Sequence, residues 1–220
     1  MKQTDRALAE YYARRSGEYE RIYHRPERQA DLRVLEGIVR SRFSGGSVLE
    51  VASGTGYWTE QIARGGAARV VAVDSTEEVL DIAAHKRYGA CDVEFVCDDA
   101  YSLGRIDESF RFGFAGFWWS HVPVARIESF LTVFHTKFEP GARVLFLDNC
   151  YVEGNSTPIS RRDAAGDTWQ IRKLDDGSRF EVRKNFPTDD EIRSALSPFS
   201  DAVEVQRLTY YWLVSYTLRH

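Results

Sequence analysis

The stretch from Val48 to Trp58, V-L-E-V-A-S-G-T-G-Y-W, constrains the fold of this chain more than any other. Its apolar beginning predicts a buried strand, Gly54 and Gly56 predict a tight turn, and the residues from Tyr57 onward predict a helix. Glycine suits both turn positions because it tolerates positive φ and lets a ligand approach the backbone. A strand, a glycine turn and a helix in this order bring backbone amides to a ligand. The stretch therefore predicts a ligand-binding turn in an α/β fold.

Apolar and amphipathic segments alternate on both sides of this turn. The pattern predicts strands over 47–52, 69–74, 92–97, 112–118 and 143–148, with helices between them. Two closing strands are expected over 202–208 and 211–218. Strand 69–74 is almost wholly apolar, as expected where both faces of a sheet are covered. The chain is therefore predicted to form a doubly wound, mostly parallel seven-stranded sheet with helices on both faces.

The remaining segments extend this sheet within a single domain of 220 residues. Aromatic residues three and four apart predict a helical cap over 1–43, in front of a ligand-binding core over 44–150. Residues 151–187 are predicted to form a loop and an extra β-hairpin, which turns at Asp175-Asp-Gly-Ser178. A C-terminal helix and the closing strands occupy 188–220. Topology places the hairpin over the carboxyl edge of the sheet, where it is expected to act as a hood; a dimer contact or a sheet extension is the alternative.

Composition limits the partners of the chain. A net charge of −4 and a pI near 5.8 give no general reason to bind nucleic acid or an anionic membrane. The first residues lack an apolar signal core, and the three cysteines show no metal-ligand spacing. We expect a cytoplasmic protein with reduced thiols, without metal, nucleic-acid or membrane partners, and either monomeric or homodimeric.

Four further segments stand at the predicted strand ends. They are Glu50–Gly56 (E-V-A-S-G-T-G), Asp74, Asp98-Asp99-Ala100, and Phe117–Pro123 (F-W-W-S-H-V-P). In this order they resemble the class I S-adenosylmethionine (SAM)-dependent methyltransferases over about residues 47–218. The family's fourth motif has small or aliphatic residues where this chain has two tryptophans.

The resemblance implies SAM as cofactor and a set of cofactor-binding residues. In the family, the residue that matches Asp74 binds the ribose of the cofactor. An acidic residue at the position of Asp98 or Asp99 binds the adenine. Of these two, Asp99 is favoured in this chain because Ala100 follows it. Tyrosines of the N-terminal helix are expected at the methionine carboxylate. The full expected set is Tyr12, Tyr19, Glu50, Ala52, Gly54, Gly56, Trp58, Asp74, Ser75, Asp98, Asp99, Ala100 and Phe117.

The predicted reaction is methyl transfer to an N or O atom of a small, planar or aromatic molecule by in-line displacement. Positioning dominates such a reaction, and His121 is the candidate base if the nucleophile arrives protonated. One of the two adjacent tryptophans is expected to line the site and the other to join the core. The expected substrate-binding residues are Trp118, Trp119, Asn149, Arg161, Arg162, Trp169 and Arg172.

Two other functions fit the same architecture. An NAD(P)-dependent oxidoreductase would need G-x-G-x-x-G, but Thr59 stands at the third glycine position. A non-catalytic, methyltransferase-like binding protein is the second alternative, because a fold does not imply a function. Binding of SAM or of NAD distinguishes the three hypotheses.

Overall fold

A computed structural model describes residues 10, 11, 14 and 16–219; for residues 16–19 it describes the backbone alone. Residues 10, 11 and 14 are helical, and a 3-10 helix, Ser16–His24, and a 3-10 turn, Pro26–Arg28, come after them. Five α-helices follow within the described part: α1 Gln29–Arg42, α2 Tyr57–Arg64, α3 Glu77–Ala84, α4 Ile127–His135 and α5 Asp189–Leu196. The N-terminal cap is therefore partly 3-10 helical, where the aromatic spacing predicted an α-helix.

The described strands form two sheets. They are β1 Ser47–Val51, β2 Arg69–Asp74, β3 Asp92–Cys97, β4 Phe110–Gly116, β5 Phe138–Asn149, β6 Ile159–Arg162, β7 Thr168–Lys173, β8 Arg179–Arg183, β9 Val203–Arg207 and β10 Tyr211–Thr217. The main sheet has seven strands in the order β3-β2-β1-β4-β5-β10-β9, and β10 is antiparallel to both of its neighbours. This confirms the predicted mostly parallel, seven-stranded α/β fold.

Helices cover both faces of the main sheet. On one face Leu35 and Val39 of α1 and Ile62 of α2 pack against strands β1, β2 and β4. On the other face Phe130 of α4 and Leu196 of α5 join a second apolar cluster. The central strands are buried on both sides, which explains their nearly continuous apolar sequences.

The order of the strands reverses at β1 and β4, which pair in parallel. Ligands of open α/β sheets bind outside the carboxyl ends of the strands at such a switch point. The residue after β1, Ala52, has φ 54°, and the residue after β4, Phe117, has φ 60°. Left-handed backbone is unfavourable for residues with a side chain and concentrates at functional sites. Both strained residues therefore mark this crevice.

Several predicted boundaries are corrected. Strand β4 starts at Phe110 and ends at Gly116, so Phe117 and Trp118 lie in the turn after it. Strand β6 occupies part of the segment predicted as loop, so the hood is a three-stranded sheet, β6-β7-β8. Thr76 is the N-cap of α3 and makes no side-chain cap bond. No helix in the described ranges is long and apolar enough to cross a membrane.

Candidate active site

The glycine turn is held by the carboxylate of Asp74. The backbone N–H of Gly54 donates to Asp74 Oδ2 over 2.9 Å, and that of Thr76 donates to Oδ1 over 3.0 Å. Burial raises the pKa of Asp74, while these backbone hydrogen bonds lower it. Gly54 and Gly56 have φ of 55° and 80°, the positive values that the sequence predicted for this turn. Asp74 thus shapes the turn, and its oxygens retain lone pairs for a further donor.

Glu50 lies in β1 beneath the glycine turn and is buried. Its Oε2 accepts a hydrogen bond of 2.7 Å from Thr59 Oγ1. Burial raises the pKa of Glu50 to about 8, and the nearby charge of Asp74 contributes to the increase. The hydrogen bond from Thr59 opposes this shift. The carboxyl is therefore mostly protonated at neutral pH. Thr59, the residue that interrupts the dinucleotide fingerprint, has a structural role as the partner of Glu50.

The acidic residues after β3 are engaged to different degrees. Both oxygens of Asp98 accept backbone hydrogen bonds, from Asp99 at 2.7 Å and from Arg105 at 2.8 Å. Asp99 accepts one from Tyr101 N at 3.0 Å through Oδ1. Ala100 is buried beside them. Asp99 consequently keeps more acceptor capacity than Asp98.

The N-terminal segment closes over the glycine turn. Glu20 accepts a 2.8 Å hydrogen bond from Thr55 Oγ1 and forms an ion pair with Lys86. Tyr23 stacks on Tyr57, with ring centroids 3.7 Å apart and planes at 9°. Of the two tyrosines expected at the cofactor, Tyr12 lies outside the described residues, as does the side chain of Tyr19.

A cavity of about 90 Å³ lies between the N-terminal segment and the hood. Phe117 and Asn149, which follow β4 and end β5, form its floor at the switch point. Its other walls are Tyr11, Ile22, Tyr23, Arg25, Arg28, His121, Ser156, Thr157, Gln170, Arg172, Val182, Lys184, Phe186 and Tyr211. Because it joins the crevice at Phe117, this cavity is the candidate acceptor site.

Four cationic side chains line the cavity. Arg28 is 8% exposed; both Nε and Nη2 donate to Asn155 Oδ1, and its guanidinium lies 5.1 Å from the Tyr210 ring centre. Among the described residues no carboxylate lies within 4.0 Å of Arg28. Arg172 donates to Thr157 Oγ1 over 3.0 Å and to Gln170 Oε1 over 2.7 Å. Lys184 pairs with the buried Asp148 at 2.9 Å, and the exposed Arg25–Glu27 pair measures 2.8 Å. Arg28 is therefore the buried cation of this wall without a close carboxylate partner among the described residues.

His121 is buried at the cavity wall. Its Nδ1 lies 2.8 Å from the carbonyl oxygen of Arg183, so this nitrogen carries the proton and donates. Burial, and then the charges of Lys184, Arg172 and Arg183, lower the pKa of His121 well below 6.5, although the bond to the Arg183 carbonyl opposes the shift. The imidazole is neutral at pH 7, and Nε2 carries the lone pair.

The structure separates the other residues predicted for the substrate. Asn149 and Arg172 line the cavity together with His121, and Phe117, predicted at the cofactor, joins them. Trp119 packs in the core against Phe146 and Trp212, and Trp118 packs on Tyr101 and Phe130. Neither tryptophan lines the cavity, so the expectation that one of them would is corrected. They lie on the face of the sheet covered by α4, whereas the cavity lies on the other side of the turn.

The remaining hood residues also lie away from the cavity. Arg161 makes two bonds with Glu181, of 2.8 and 2.7 Å, on the exposed side of the hood. Arg162 donates to the Gly166 carbonyl at 3.1 Å, and Trp169 is buried with Nε1 on Asp163 Oδ2 at 2.9 Å. Arg161, Arg162 and Trp169 thus bond within the hood and do not line this cavity.

Sequence reasoning missed Arg25, Arg28 and Lys184. The two arginines flank a proline turn before α1, and nothing in that pattern indicates that the turn folds back onto the hood. Lys184 directly follows β8, whose sequence R-F-E-V-R already contains charged residues, so nothing in the pattern distinguishes it from them. The remaining predicted cofactor residues surround the glycine turn: Trp58 is buried against Tyr23 and Phe117, and Ser75 is exposed after β2. The described residues contain no group of three or more His, Cys, Asp or Glu arranged to hold a metal ion.

Comparisons with known proteins agree with this geometry. Residues 48–141 match the model of the methyltransferase domain family. The structure is similar to DhpI in complex with SAH, at 26% identity over 98% of this chain and 97% of that chain, with a TM-score of 0.79. It is also similar to DhpI in complex with SAM and HEP, at 27% identity over 98% of each chain, with a TM-score of 0.77. The PH0226 protein from Pyrococcus horikoshii OT3 shares the fold at 19% identity over 92% and 99% of the chains, with a TM-score of 0.70. No curated protein matches the chain.

The glycine turn with its acidic strand ends, the family match and the SAM- and SAH-bound neighbours define one class of enzyme. The chain is a class I SAM-dependent methyltransferase, and SAM is its cofactor. The site residues fit SAM because the positive-φ turn leaves room at the backbone, and the buried hydroxyl of Ser53 has no hydrogen-bond partner among the described residues. The family assignment replaces the oxidoreductase and binding-protein alternatives.

Proposed function

We propose that this enzyme transfers the methyl group of SAM to an oxygen atom of a small anionic acid. One observation carries the proposal: Arg28 is 8% exposed and lines the cavity, where its close described partners are the Asn155 amide, the Tyr211 hydroxyl and aromatic rings, and the carboxylate of Glu27 interacts with it only from beyond 4.0 Å. A buried guanidinium is costly unless an anion balances its charge. An acid group of the acceptor supplies that anion, and Arg172 and Lys184 add to the attraction.

The size and charge of the cavity define the acceptor class. About 90 Å³ is well below the roughly 300–1,000 Å³ typical of drug-sized ligand sites, which favours a small acid. The cations disfavour the cationic acceptor that aromatic walls alone would attract. The predicted alternative, an N atom of a planar molecule, gains support only from the rings of Tyr23, Phe117 and Tyr211. DhpI, which shares this fold, forms a complex with SAM and HEP together.

The cofactor would be held by the glycine turn, with Asp74 for its ribose and Asp99 for its adenine. When bound, SAM supplies a methyl group on a positively charged sulfur. The protein's part is to hold the acceptor oxygen in line, and such positioning supplies roughly 7–11 kcal/mol of a barrier. Arg28 and Arg172 orient the acid, while neutral His121 accepts a proton at Nε2 if the acceptor arrives protonated.

The test is a methyltransferase assay with SAM and a panel of small carboxylates, phosphate monoesters, phosphonates and sulfonates, with neutral phenols and aromatic amines as comparison. Anionic acids are expected to be methylated on oxygen. Arg28→Gln should raise the acceptor KM about 10- to 100-fold, because a charge-assisted contact is worth about 1.5–3 kcal/mol. The affinity for SAM by isothermal titration should stay unchanged. The matched control is Arg161→Gln, on the outer side of the hood. Methylation restricted to amines or neutral phenols would refute the proposal.

A further inference from the structure

Asp148 is a buried carboxylate that joins three parts of the site. It lies at the end of β5 and is 0% exposed. Its Oδ2 accepts from the backbone N–H of Ser120 over 2.9 Å, and its Oδ1 accepts from Lys184 Nζ, also over 2.9 Å. Ser120 belongs to the 3-10 turn Trp119–His121, and Lys184 belongs to the hood. One side chain thus connects the main sheet, the turn that carries His121, and the hood.

Lys184 depends on this carboxylate. Its side chain is 5% exposed, and Nζ lies 6.0 Å from the ring centre of Phe117 at the switch point. An ammonium removed from water is costly without a nearby opposite charge. Asp148 provides that charge from inside the protein, on the side away from the cavity that Lys184 lines. The ammonium is therefore fixed in place by a group that does not itself line the cavity.

The same carboxylate helps to fix the position of His121 relative to the hood. The bond from Ser120 N holds the turn, and His121 Nδ1 then meets the carbonyl of Arg183, the residue before Lys184. Asp148 thus helps to orient both Lys184 and His121, the two polar groups that line the cavity at this junction. Asn149, the next residue of β5, lines the cavity itself, whereas Asp148 is buried and does not.

We infer that Asp148 is a positioning residue for the acceptor, and that its charge acts through Lys184. The inference rests on the proposed function, since it takes an anionic acid as the group that Lys184 meets. Nothing in the sequence distinguishes Asp148 from an ordinary strand-end aspartate. Its role follows from burial and from the three elements that its oxygens connect.

A matched control exists in the same junction. Asp167 pairs with Arg183 at 3.1 Å, with side chains 5% and 9% exposed. Asp167 also accepts from Val124 N at 2.9 Å and from Asn185 Nδ2 at 2.8 Å, so it too connects the hood to the segment after β4. Neither Asp167 nor Arg183 lines the cavity. Asp167→Asn therefore loosens the junction without removing a partner of Lys184.

The experiment is isothermal titration of the S-adenosylhomocysteine-loaded protein with methylphosphonate and with propionate, in wild type, Asp148→Asn, Asp167→Asn and Lys184→Gln. Asp148→Asn should weaken binding of the acids about 10-fold or more, the loss expected when a charge-assisted contact is misplaced. Asp167→Asn should lower the melting temperature comparably and leave acid binding unchanged. Affinity for S-adenosylhomocysteine should be the same in all four proteins.

A double-mutant cycle separates positioning from general loosening. If Asp148 acts through Lys184, the double variant D148N/K184Q binds the acids as weakly as K184Q alone, and the two losses do not add. If D148N does not fold, D148N/K184Q is compared with K184Q instead. The double variant lacks both charges of the pair, so no buried charge is left without its partner. Additive losses, or D148N binding like D167N, would overturn the positioning role. Wild-type protein that binds and methylates neither acid class would instead refute the proposed function.

Discussion

At the scale of single residues, the pKa of Glu50 is the most unusual property of the cofactor side. The residue is buried beneath the glycine turn, and its pKa is raised from 4.5 to about 8. The unfolded chain releases this proton near pH 4.5, whereas the folded protein keeps it until about pH 8. The stability contributed by the neutral carboxyl is therefore full below pH 4.5 and is lost as the pH rises to 8.

Glu50→Gln should remove this pH dependence. Between pH 5 and 8 the wild type should lose unfolding free energy relative to the variant by up to about 1.4 kcal/mol per pH unit, and the difference should level off above pH 8. The amide preserves a partner for Thr59. Urea unfolding of both proteins across this range measures the difference. Glu139→Gln, at an exposed position, is the control. Parallel curves for wild type and Glu50→Gln would contradict the shifted pKa.

At the scale of elements, the hood contributes one face to the site. Side chains of β7 alternate between the two faces, so Gln170 and Arg172 reach the cavity while Ile171 is exposed. The ion pair between Arg161 and Glu181 lies on the exposed surface. Exposed ion pairs of this kind contribute about 0–1 kcal/mol. The hood therefore acts through its inner face and its buried junction with the 119–121 turn.

Alanine substitutions in the hood should follow this division. Arg172→Ala should raise the acceptor KM about 10-fold or more, because the variant loses a charge-assisted contact to the acid. Arg161→Ala and Arg162→Ala should leave the acceptor KM unchanged, since their described bonds go to Glu181 and to the Gly166 carbonyl. Steady-state kinetics with the best acid found in the panel measures all three. Equal effects of the three variants would show that the outer face also contacts the acceptor.

At the scale of the whole molecule, stability toward acid depends on buried histidines. His135, at the end of α4, lies against Phe134 and Phe199, and its Nε2 is 2.7 Å from Tyr216 Oη. Burial lowers its pKa from 6.5 to about 4. The unfolded chain takes up this proton near pH 6.5, so the stability that neutral His135 contributes is lost as the pH falls from 6.5 towards 4.

His135→Gln should reduce this loss without changing the site. As the pH falls from 6.5 to 4, the variant should gain unfolding free energy relative to wild type by up to about 1.4 kcal/mol per pH unit. Because His135 is remote from the cavity, methyl transfer at neutral pH should not change. Unfolding curves across this range, with exposed His85→Gln as control, measure the effect. A difference that is independent of pH would show that His135 titrates normally in the folded protein.

The sequence by itself determined the sheet, the glycine turn and the class of cofactor. These features depend on local patterns: apolar runs for buried strands, glycines where φ is positive, and acidic residues at the ends of β2 and β3. It also placed His121 and Asn149 on the ligand edge, because strand order brings the carboxyl ends of parallel strands together, and it placed Arg172 in the hood expected over that edge.

Only the tertiary structure decided which side chains surround the acceptor cavity. Arg28 comes from the turn before α1 and Lys184 from the end of β8, and they meet at the cavity through folding of the N-terminal segment and the hood onto the sheet. The same packing removed Trp118 and Trp119 from the site, because the left-handed backbone at Phe117 turns that ring toward the cavity while the tryptophans pack on the α4 face. Local patterns carry no information about such long-range contacts, so burial and charge balance became visible only in the folded chain.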